Sequence, residues 1–433
     1  MSKTIADLVG IGIGPSNLSI AALLHEAPGL EVVFFDKKPR FDWHPGLMFR
    51  QARMQTPFLK DLVTGVRPTN PYSFVNYLVQ TGRFYQFLSA SMDSVGRQEF
   101  TAYMAWVAGQ LDVLRFGTEI HEVQFVRDHF VVRHSRGFTR ARNMSLGSGR
   151  APHVPECALP ALGDRCFHAI DILTRQPRME GARVAIVGGG QTGAEVLLHA
   201  LRGHWGAPRE LSWISRRPNF EPLDETPFTN ELFMPGYVRM FHRLDERRRH
   251  ALVAEQKLAG DGISSSTLRE LYRELYEQQL CNDGRAVELL PARDMASAHS
   301  NGKEIRLTLH NRLDGSREYH GADLVILCTG FVERLPGYLA KLQERLHLDE
   351  QGRLRLGSEF DVQWDGPKEN RIYGLNVGRF THGIAEPQLS LAAWRSAVII
   401  NHLLGRPWFN VEPGPGLVRW SMVEEPREQA LEA

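Results

Sequence analysis

The fold is decided by the stretch Arg183-Val-Ala-Ile-Val-Gly-Gly-Gly-Gln-Thr-Gly193, in which a short apolar run leads directly into a glycine-rich turn. This order predicts a buried strand, a tight turn and a helix, the unit that binds dinucleotides. Gly188 permits the turn, Gly190 lets a phosphate approach the backbone, and Gly193 lets the helix pack closely on the strand. The unpaired N–H groups at the helix N-terminus favour a pyrophosphate at that point.

The residues that end the next strand indicate which nucleotide this unit binds. A second apolar run, Glu210-Leu-Ser-Trp-Ile-Ser215, is followed by Arg216 and Arg217. An acidic residue there would bind a ribose 2′-hydroxyl, whereas a hydroxyl and two guanidinium groups suit a 2′-phosphate. The stretch therefore predicts an NADPH site.

A second glycine motif opens the chain. The run that begins at Asp7 reaches Gly12 and Gly14, and Asn17 replaces the third glycine of the usual pattern. The next apolar run ends in Asp36, 22 positions after Gly14, where a carboxylate suits an adenosine without a 2′-phosphate. The two motifs together predict an α/β protein with two Rossmann-like domains, one for FAD and one for NADPH.

Composition excludes several other classes of protein. The chain has 433 residues, a net charge of +1 and 23% charged residues, which gives no support for nucleic-acid or anionic-membrane binding. Its four cysteines form no CxxC pair, so neither a zinc knuckle nor a dithiol redox centre is expected, and a reducing cytoplasm fits best. No cleavable signal peptide or membrane-spanning apolar run is evident, and no metal site is expected.

The order of the motifs predicts a discontinuous first domain. An aromatic and proline-rich insert follows the first dinucleotide unit, in a position where substrate commonly meets cofactor. Two apolar strands with small-residue ends, 141–149 and 322–331, are predicted to be the crossings between the domains. The predicted division is an FAD-binding domain of residues 1–175 and 322–433, with the insert at about 42–85, and an NADPH-binding domain of residues 176–321.

Polar residues in two loops are further candidates for function. His44 and Lys60 lie in the insert, where each is either a surface or packing residue or a functional one. The proline-bounded loop after the arginine pair contains Asp224, Glu225 and Asn230, which are either turn and cap residues or functional residues. The sequence pattern alone leaves both alternatives open.

Several motifs together resemble those of one family. They are, in chain order, Gly12-Ile-Gly-Pro-Ser-Asn-Leu18, Trp43-His-Pro-Gly46, Met54-Gln-Thr56 with Phe58-Leu-Lys-Asp-Leu62, Thr69-Asn-Pro-Tyr-Ser-Phe-Val-Asn-Tyr-Leu78, Gly188-Gly-Gly-Gln-Thr-Gly193, Ser215-Arg-Arg217 and Thr381-His-Gly-Ile-Ala-Glu-Pro-Gln-Leu-Ser390. The chain resembles the class B flavin-dependent N-hydroxylating monooxygenases. It is most similar to the lysine N6-hydroxylases of hydroxamate siderophore biosynthesis, and the putrescine and cadaverine hydroxylases are nearly as close.

The resemblance implies a reaction. NADPH reduces FAD, the reduced flavin reacts with O₂ to form a C4a-hydroperoxyflavin, and bound NADP⁺ shields this species from water. The terminal amine of L-lysine or of a short aliphatic diamine then attacks the distal peroxide oxygen and becomes an N-hydroxyamine. The enzyme has to favour the uncharged amine, whose free pKa is about 10.4.

The resemblance also assigns roles to residues by motif. Gln55 and Met54 would line the flavin near its reactive edge, and Asn230 would hold the substrate nitrogen and the nicotinamide ribose, so that Gln55 and Asn230 are the catalytic candidates. The substrate-binding candidates are Lys60, Asn230, Leu389 and Ser390, with Lys60 placed against a carboxylate. The FAD candidates are Gly12, Gly14, Pro15, Asn17, Asp36, Lys37, Met54, Gln55 and Leu389, and His44 would lie beside either cofactor. The NADPH candidates are Gly190, Gln191, Thr192, Gly193, Ser215, Arg216 and Arg217.

Alternatives remain open at this point. Lysine and a diamine are about equally compatible with the motifs, and Asn230 is also the residue type that ornithine hydroxylases use. A flavin-dependent sulfur or ketone oxygenase is disfavoured because Cys166-Phe-His168 lacks the glycine spacing of the F-x-G-x-x-x-H signature. A non-enzymatic redox sensor is disfavoured by the retained insert. The resemblance implies a homo-oligomer, either a dimer or a tetramer.

Overall fold

The computed structural model describes residues 5–27, 29–92, 94–281, 286–414 and 416–420. Its strands are β1 (Ala6–Ile11), β2 (Val32–Phe35), β3 (Leu114–Arg115), β4 (Ile120–Val126), β5 (His129–His134), β6 (Gly137–Leu146), β7 (Ala151–Pro152), β8 (Cys166–His168), β9 (Arg183–Val187), β10 (Glu210–Ile214), β11 (Ala286–Leu290), β12 (Arg293–Ser300), β13 (Ile305–Asn311), β14 (Arg317–Ala322), β15 (Leu324–Leu327), β16 (Phe331–Val332) and β17 (Ile372–Gly374).

The α-helices follow the same chain order. They are α1 (Pro15–Leu24), α2 (Phe74–Gln80), α3 (Phe84–Ser89), α4 (Arg97–Ala108), α5 (Ile172–Arg175), α6 (Gln191–Leu201), α7 (Pro235–His242), α8 (Glu246–Glu255), α9 (Lys257–Asp261), α10 (Ser265–Cys281), α11 (Arg379–His382) and α12 (Ala392–Leu404). No helix in the described ranges is both long enough and apolar enough to cross a lipid bilayer.

The first sheet is built around β1. Its strand order is β3-β2-β1-β6-β5-β4, and β17 pairs in parallel with the far end of β6. The strands β3, β2, β1 and β6 are parallel, whereas β4 and β5 form an antiparallel meander with β6. Apolar clusters cover both faces of this sheet, so the strands read as nearly continuous apolar runs.

The second sheet is parallel throughout and has the order β11-β10-β9-β15-β8. One face packs against α6 and α10, and the antiparallel strands β12, β13 and β14 cover the other. Each sheet therefore carries one strand–turn–helix unit, β1–α1 or β9–α6. The predicted α/β class is confirmed.

The strand pairing differs from the predicted division at both boundaries. The prediction placed β8 and β15 in the first domain, but both strands pair within the second sheet, β15 directly beside β9. The physical reason is that β15 is buried along its whole length and completes a parallel ladder between β8 and β9. The chain therefore enters the second sheet before residue 166 and leaves it after residue 327.

The last helix completes the first domain. The helix α12 packs against α1, and its Arg395 is buried together with Glu386, with 3.0 Å between Nη1 and Oε1. Arg395 also donates from Nη2 to the Ser16 hydroxyl at 3.0 Å, and Glu386 accepts from the backbone N–H of Asn376 at 2.7 Å. This buried ion pair ties the C-terminal part of the chain to the first turn of α1.

Two glycines in the β9–α6 turn give a matched prediction about stability. A Cβ on Gly193 would lie 2.0 Å from the carbonyl oxygen of Gly188, whereas a Cβ on Gly190 would meet nothing within 4 Å. We expect Gly193→Ala to lower the free energy of unfolding by about 2 kcal/mol or more, because backbone would have to move. Gly190→Ala should change it by less than about 1 kcal/mol. Thermal unfolding of both variants checks this, and equal melting temperatures would contradict it.

Candidate active site

The first cleft opens above the turn that follows β1 and has a volume of about 630 Å³. Gly12 has a φ of +86°, and a Cβ there would lie 2.5 Å from the carbonyl oxygen of Gly147. Gly147 follows β6 and donates its N–H to the carbonyl of Ile11 at 2.8 Å. The crossing strand therefore passes directly beneath the glycine turn, as the small-residue end of 141–149 suggested.

Asn17 supports this turn from behind. Its side chain is fully buried, and its Nδ2 donates to the carbonyl of Gly12 at 2.7 Å. Its Oδ1 accepts from the Ser145 hydroxyl at 2.7 Å. The amide thus replaces the third glycine by bonding β1 to β6, while Gly14 and Pro15 line the cleft itself. The structure therefore gives Asn17 a supporting position rather than one on the cleft wall.

The first cleft has a buried carboxylate on its wall, that of Asp36. It accepts hydrogen bonds from the backbone N–H groups of Ile13 and Lys38, both at 2.8 Å. These two bonds orient a buried carboxylate on the cleft wall, beside Lys37. A carboxylate held in this way suits ribose hydroxyl groups.

Unpaired polar atoms test whether the first cleft fits a dinucleotide. Asn376 lines the cleft with a φ of +62°, and its buried Oδ1 has no partner among the described residues. The buried Nε of Arg150, also on this wall, likewise lacks a partner within the described ranges. Buried polar atoms normally find partners, so both atoms indicate a polar ligand at this surface. The residues fit FAD.

The second cleft has a volume of about 600 Å³ and opens above the turn between β9 and α6. Gly188 has a φ of +132°, and a Cβ there would lie 2.1 Å from the carbonyl oxygen of Cys328. The end of β15 therefore runs beneath the second turn as β6 runs beneath the first. Gly190 and Thr192 line the cleft, and the first turn of α6 holds no acidic residue, which suits a pyrophosphate. Gly193 lies behind the turn, against Gly188.

The far end of the second cleft is basic. Ser215 is buried and accepts from the backbone N–H of Arg217 at 3.1 Å, so its hydroxyl shapes the loop. Arg217 donates to the carbonyl of Asp261 at 2.8 Å, and its buried Nη1 has no partner among the described residues. Arg216 lines the same wall. The unpaired guanidinium nitrogen is the observation that fits the 2′-phosphate of NADPH.

Lys257 is a cleft residue that sequence reasoning missed. It opens α9, lines the same basic end, and its pKa is lowered by burial and then by the charges of Arg217 and Arg216. The charges of Asp261 and Glu221 act in the opposite direction, and an anion bound at this end would add to their effect. No local pattern marks Lys257, because it comes from a helix about forty residues further along the chain.

Gln191 has its side-chain amide occupied by the protein. Its Oε1 accepts from the backbone N–H of Ser264 at 2.8 Å, and its Nε2 donates to Glu195 at 2.8 Å and to Thr267 at 3.1 Å. Gln55 lines this second cleft rather than the first, and its Nε2 donates to the Ser264 hydroxyl at 3.2 Å. Both glutamines therefore join structural elements as well as border the cleft.

The two clefts meet at Arg150 and Phe331, which line both. The His44 ring, on the wall of the first cleft, lies with its centroid 5.7 Å from that of Phe331. Burial, followed by the charges of Lys38 and Arg97, lowers the pKa of His44, so its imidazole is neutral near pH 7. Arg150 was not a predicted site residue; it lies at the end of the first crossing, where the sequence shows only a small-residue run.

Lys60 lies in a turn in the insert. Its side chain is partly buried, its ammonium has no partner among the described residues, and burial lowers its pKa. The next residue, Asp61, is buried and accepts from the backbone N–H groups of Thr64 and Phe74, both at 2.6 Å. Burial raises the pKa of Asp61, and these hydrogen bonds partly oppose that effect. Asp61 therefore organises the loop that carries Lys60.

The remaining substrate candidates border one apolar cluster. Met54 and Leu389 pack against it, and so does Leu232, two residues after Asn230. Asn230 itself is exposed on a short 3₁₀-helix, Thr229–Phe233. Ser390 is buried, and its hydroxyl has no partner among the described residues. Among the described residues that line the two clefts, none of these candidates is found.

A cluster with metal-ligand geometry lies outside both clefts. Glu246, His250 and Asp349 offer ligand atoms within 4.8 Å of one another. Both carboxylates already have a cationic partner, because Arg353 bonds Asp349 at 2.6 Å and Arg355 bonds Glu246 at 3.3 Å. The geometry is therefore that of an arginine–carboxylate network.

Two dinucleotide clefts that share an edge, one with an acidic end and one with a basic end, define a flavin- and NADPH-dependent oxidoreductase. Comparison with known proteins narrows this class. Residues 4–333 match the family model described as L-lysine 6-monooxygenase/L-ornithine 5-monooxygenase. The chain is 43% identical over 423 residues to the L-lysine N6-monooxygenase of Escherichia coli, which covers 97% of this chain and 99% of that protein.

Solved structures agree with this match. The FAD-bound cadaverine monooxygenase of Erwinia amylovora superposes with a TM-score of 0.92 at 30% identity, covering 98% of this chain and 100% of that one. An ornithine N-hydroxylase from Kutzneria sp. 744, solved with reduced FAD, NADP⁺ and L-ornithine, gives a TM-score of 0.84 at 25% identity, with 93% and 99% covered. The chain belongs to the L-lysine 6-monooxygenase/L-ornithine 5-monooxygenase family. It is an FAD- and NADPH-dependent monooxygenase that N-hydroxylates an amine.

The basic end of the second cleft predicts how the chain selects its reductant. We expect Arg217→Ala and Lys257→Ala each to raise the KM for NADPH about tenfold or more, because each removes a charge-assisted contact to the 2′-phosphate. The KM for NADH, which lacks that phosphate, should change little. Steady-state NADPH and NADH oxidation measures both constants. Lys303→Ala, on an exposed turn, is the control, and an unchanged KM for NADPH in both site variants would contradict the assignment.

Proposed function

We propose that the chain hydroxylates the ε-amino group of L-lysine, with the first domain binding FAD and the second binding NADPH. The balanced reaction converts the amine, O₂, NADPH and a proton into the N-hydroxyamine, water and NADP⁺. Bound FAD would pass the electrons of NADPH to O₂, from which one oxygen atom goes to the amine and the other to water. The protein's part is to bind the amine, keep it uncharged and exclude water.

The observation that carries this proposal is the unpaired ammonium of Lys60. The Lys60 side chain is partly buried, and burial lowers its pKa, so a carboxylate beside it would stabilise its charged form. Lysine and ornithine provide an α-carboxylate at the end opposite the reacting amine. A diamine presents a second ammonium there, which Lys60 would repel. The charge at Lys60 therefore supports an amino acid over a diamine.

Relatives support lysine among the amino acids and also supply the second candidate. The 43% identity is to an enzyme named for L-lysine, whereas the cadaverine monooxygenase that superposes at a TM-score of 0.92 is 30% identical. Cadaverine has the carbon chain of lysine without the carboxylate, so the two candidates differ only in the group that would contact Lys60. We propose cadaverine as the second candidate on that ground.

Residues around the pocket have proposed roles in the same reaction. Asn230 would hold the substrate nitrogen, and Leu389 with the unpaired Ser390 hydroxyl would border the bound amine. Met54 would contact the flavin from the insert. The His44 imidazole, neutral near pH 7, adds no positive charge beside an amine that has to lose its own proton.

The product has a chemical consequence that extends the proposal. An N-hydroxyamine is acylated to a hydroxamate, and two adjacent oxygens then bind Fe³⁺ as hard ligands. We therefore propose that the chain supplies the N-hydroxyamine for siderophore biosynthesis.

We also propose a reducing cytoplasm as the place where the enzyme acts. The cysteines Cys157, Cys166 and Cys328 are unpaired, which supports this location.

A substrate panel tests the proposed function. The panel is lysine, ornithine, putrescine and cadaverine, each at saturating NADPH. We expect the FAD-loaded protein to form the N-hydroxyamine fastest from L-lysine. Lys60→Ala should raise the KM for lysine about tenfold to hundredfold by removing one charge-assisted contact, and should change the KM for cadaverine little or lower it. Lys368→Ala, at an exposed position, is the control.

Two outcomes would contradict the proposal at different levels. If cadaverine is the better substrate and Lys60→Ala leaves the KM for lysine unchanged, the amino-acid assignment is wrong. If no amine is hydroxylated and NADPH oxidation yields only hydrogen peroxide, the chain has a different substrate class.

We also propose that the enzyme assembles as a homo-oligomer. Tyr272, Tyr276 and Leu280 follow one another at intervals of four residues on α10, and all three are exposed, at 75%, 57% and 69%. This spacing places them in one apolar stripe, which is the kind of surface that a second copy covers. Sedimentation velocity should show a dimer or tetramer, and Tyr272→Glu/Tyr276→Glu should shift it toward the monomer. A wild-type monomer at micromolar concentration would contradict this proposal.

A further inference from the structure

One face of α6 contacts the insert and α4 as well as its own domain. Gln191, Glu195 and His199 follow at intervals of four residues and therefore lie on one side of the helix. The ring of Phe49, which is 2% exposed, lies with its centroid 4.4 Å from that of His199. The helix that begins at the Gly188–Gly193 turn is thus packed against the insert.

The central contact of this face is an ion pair between Glu195 and Arg97. Both guanidinium nitrogens bond the carboxylate, with Nη1 to Oε2 at 3.0 Å and Nη2 to Oε1 at 2.8 Å. The side chains are 7% and 19% exposed, so the pair is largely out of water. Gln191 donates to the same Oε1 at 2.8 Å and completes the carboxylate's partners. A bidentate pair of this kind fixes relative orientation as well as distance.

Arg97 is in turn bonded to the segment that carries Met54 and Gln55. It is the first residue of α4, and its backbone N–H donates to the carbonyl of Ala52 at 2.8 Å. The N–H of Met54 donates to the carbonyl of Val95 at 2.9 Å. Gln55 and Gln191 both bond Ser264, which closes a ring of contacts between the insert and the second domain.

We propose that Arg97 and Glu195 are positioning residues for oxygen transfer. Their pair holds the first turns of α6, and with them the Gly188–Gly193 turn, at a set distance from Met54 and Gln55. Cofactor bound in the second cleft is thereby kept in place over the edge shared with the first. Displacements of about 1 Å at such a contact cost much of the rate of the positioned step. The expected consequence of losing the pair is NADPH oxidation that no longer ends in hydroxylated amine.

This inference rests on the reaction of the family and not on the choice of lysine as substrate. Its rival is a purely structural role, in which the pair only stabilises the fold. Single and double variants distinguish the two roles. Breaking a buried pair leaves an unpaired charge and lowers stability, whereas removing both charges is often nearly neutral for stability. A double variant therefore separates stability from position.

The experiment compares Arg97→Met, Glu195→Met and the double variant Arg97→Met/Glu195→Met, each purified with FAD and normalised to FAD content. The control is Arg83→Met. It breaks a more exposed ion pair between Arg83 and Glu99, and Glu99 lies on α4, as Arg97 does. Three quantities are measured: melting temperature, moles of hydroxylamine per mole of NADPH oxidised, and hydrogen–deuterium exchange of residues 188–195 and 52–56. The amine is whichever one the wild type hydroxylates best.

We expect the single variants to melt earlier and the double variant to recover most of the melting temperature. Product per NADPH should nevertheless stay about threefold or more below wild type in the double variant, with exchange raised in both segments and the KM for NADPH within about twofold. Arg97→Lys, which keeps the charge, should lie between the Met variant and wild type.

Product yield that recovers together with melting temperature in the double variant would overturn the proposal. Unchanged hydrogen exchange in both segments would also overturn it. If the wild type hydroxylates none of the amines tested, the proposed function fails, but the exchange measurement still tests whether the ion pair holds the two segments in place.

Discussion

Both clefts depend on one steric condition, which is that backbone passes directly beneath each glycine turn. A carbonyl oxygen would lie 2.5 Å from a Cβ on Gly12 and 2.1 Å from one on Gly188. In the first domain that carbonyl belongs to Gly147 at the end of β6, and in the second it belongs to Cys328 at the end of β15. Because no side chain fits, each turn lies low on its sheet, and the helix N-terminus above it remains open to a phosphate. The same arrangement occurs twice, and the two copies share one edge.

The shared edge gives the paired clefts a property that neither has alone. The carboxylate of Asp36 lines only the first cleft, and Arg216, Arg217 and Lys257 line only the second. Opposite charge at these residues distinguishes the two nucleotides by the presence of a 2′-phosphate. The two clefts meet at Arg150 and Phe331, which line both. The charged residues that would select each cofactor are therefore separate from the residues that the two clefts share.

The sequence predicted what local chain order controls and missed what distant segments bring together. The strand–turn–helix units, the acidic end at Asp36 and the basic pair at Arg216 and Arg217 all follow from neighbours along the chain, and the structure places them on the clefts. Lys257 and Arg150 were missed because their position depends on how helices and crossings pack. The predicted boundaries placed β15 in the first domain. They were wrong there because the sequence of an apolar strand does not indicate which strand it pairs with. Gln191 was predicted as an NADPH residue from its motif, but its amide bonds Ser264 and Glu195 of the protein itself.

Arg395 and Ser16, which are in contact, are 379 positions apart in the sequence. The strand β17, which pairs with the first sheet, also follows the whole second domain in the chain. During synthesis, the strands and helices of the second sheet are all available once about residue 330 has left the ribosome. The first sheet must wait for β17 and α12 before its helix α1 is covered. The domain that begins the chain is therefore the last to be completed, which reverses the usual N-terminal-first order of folding on the ribosome. Until then the apolar faces of β1 and α1 have only part of their native cover, and in this interval the nascent chain is most exposed to aggregation.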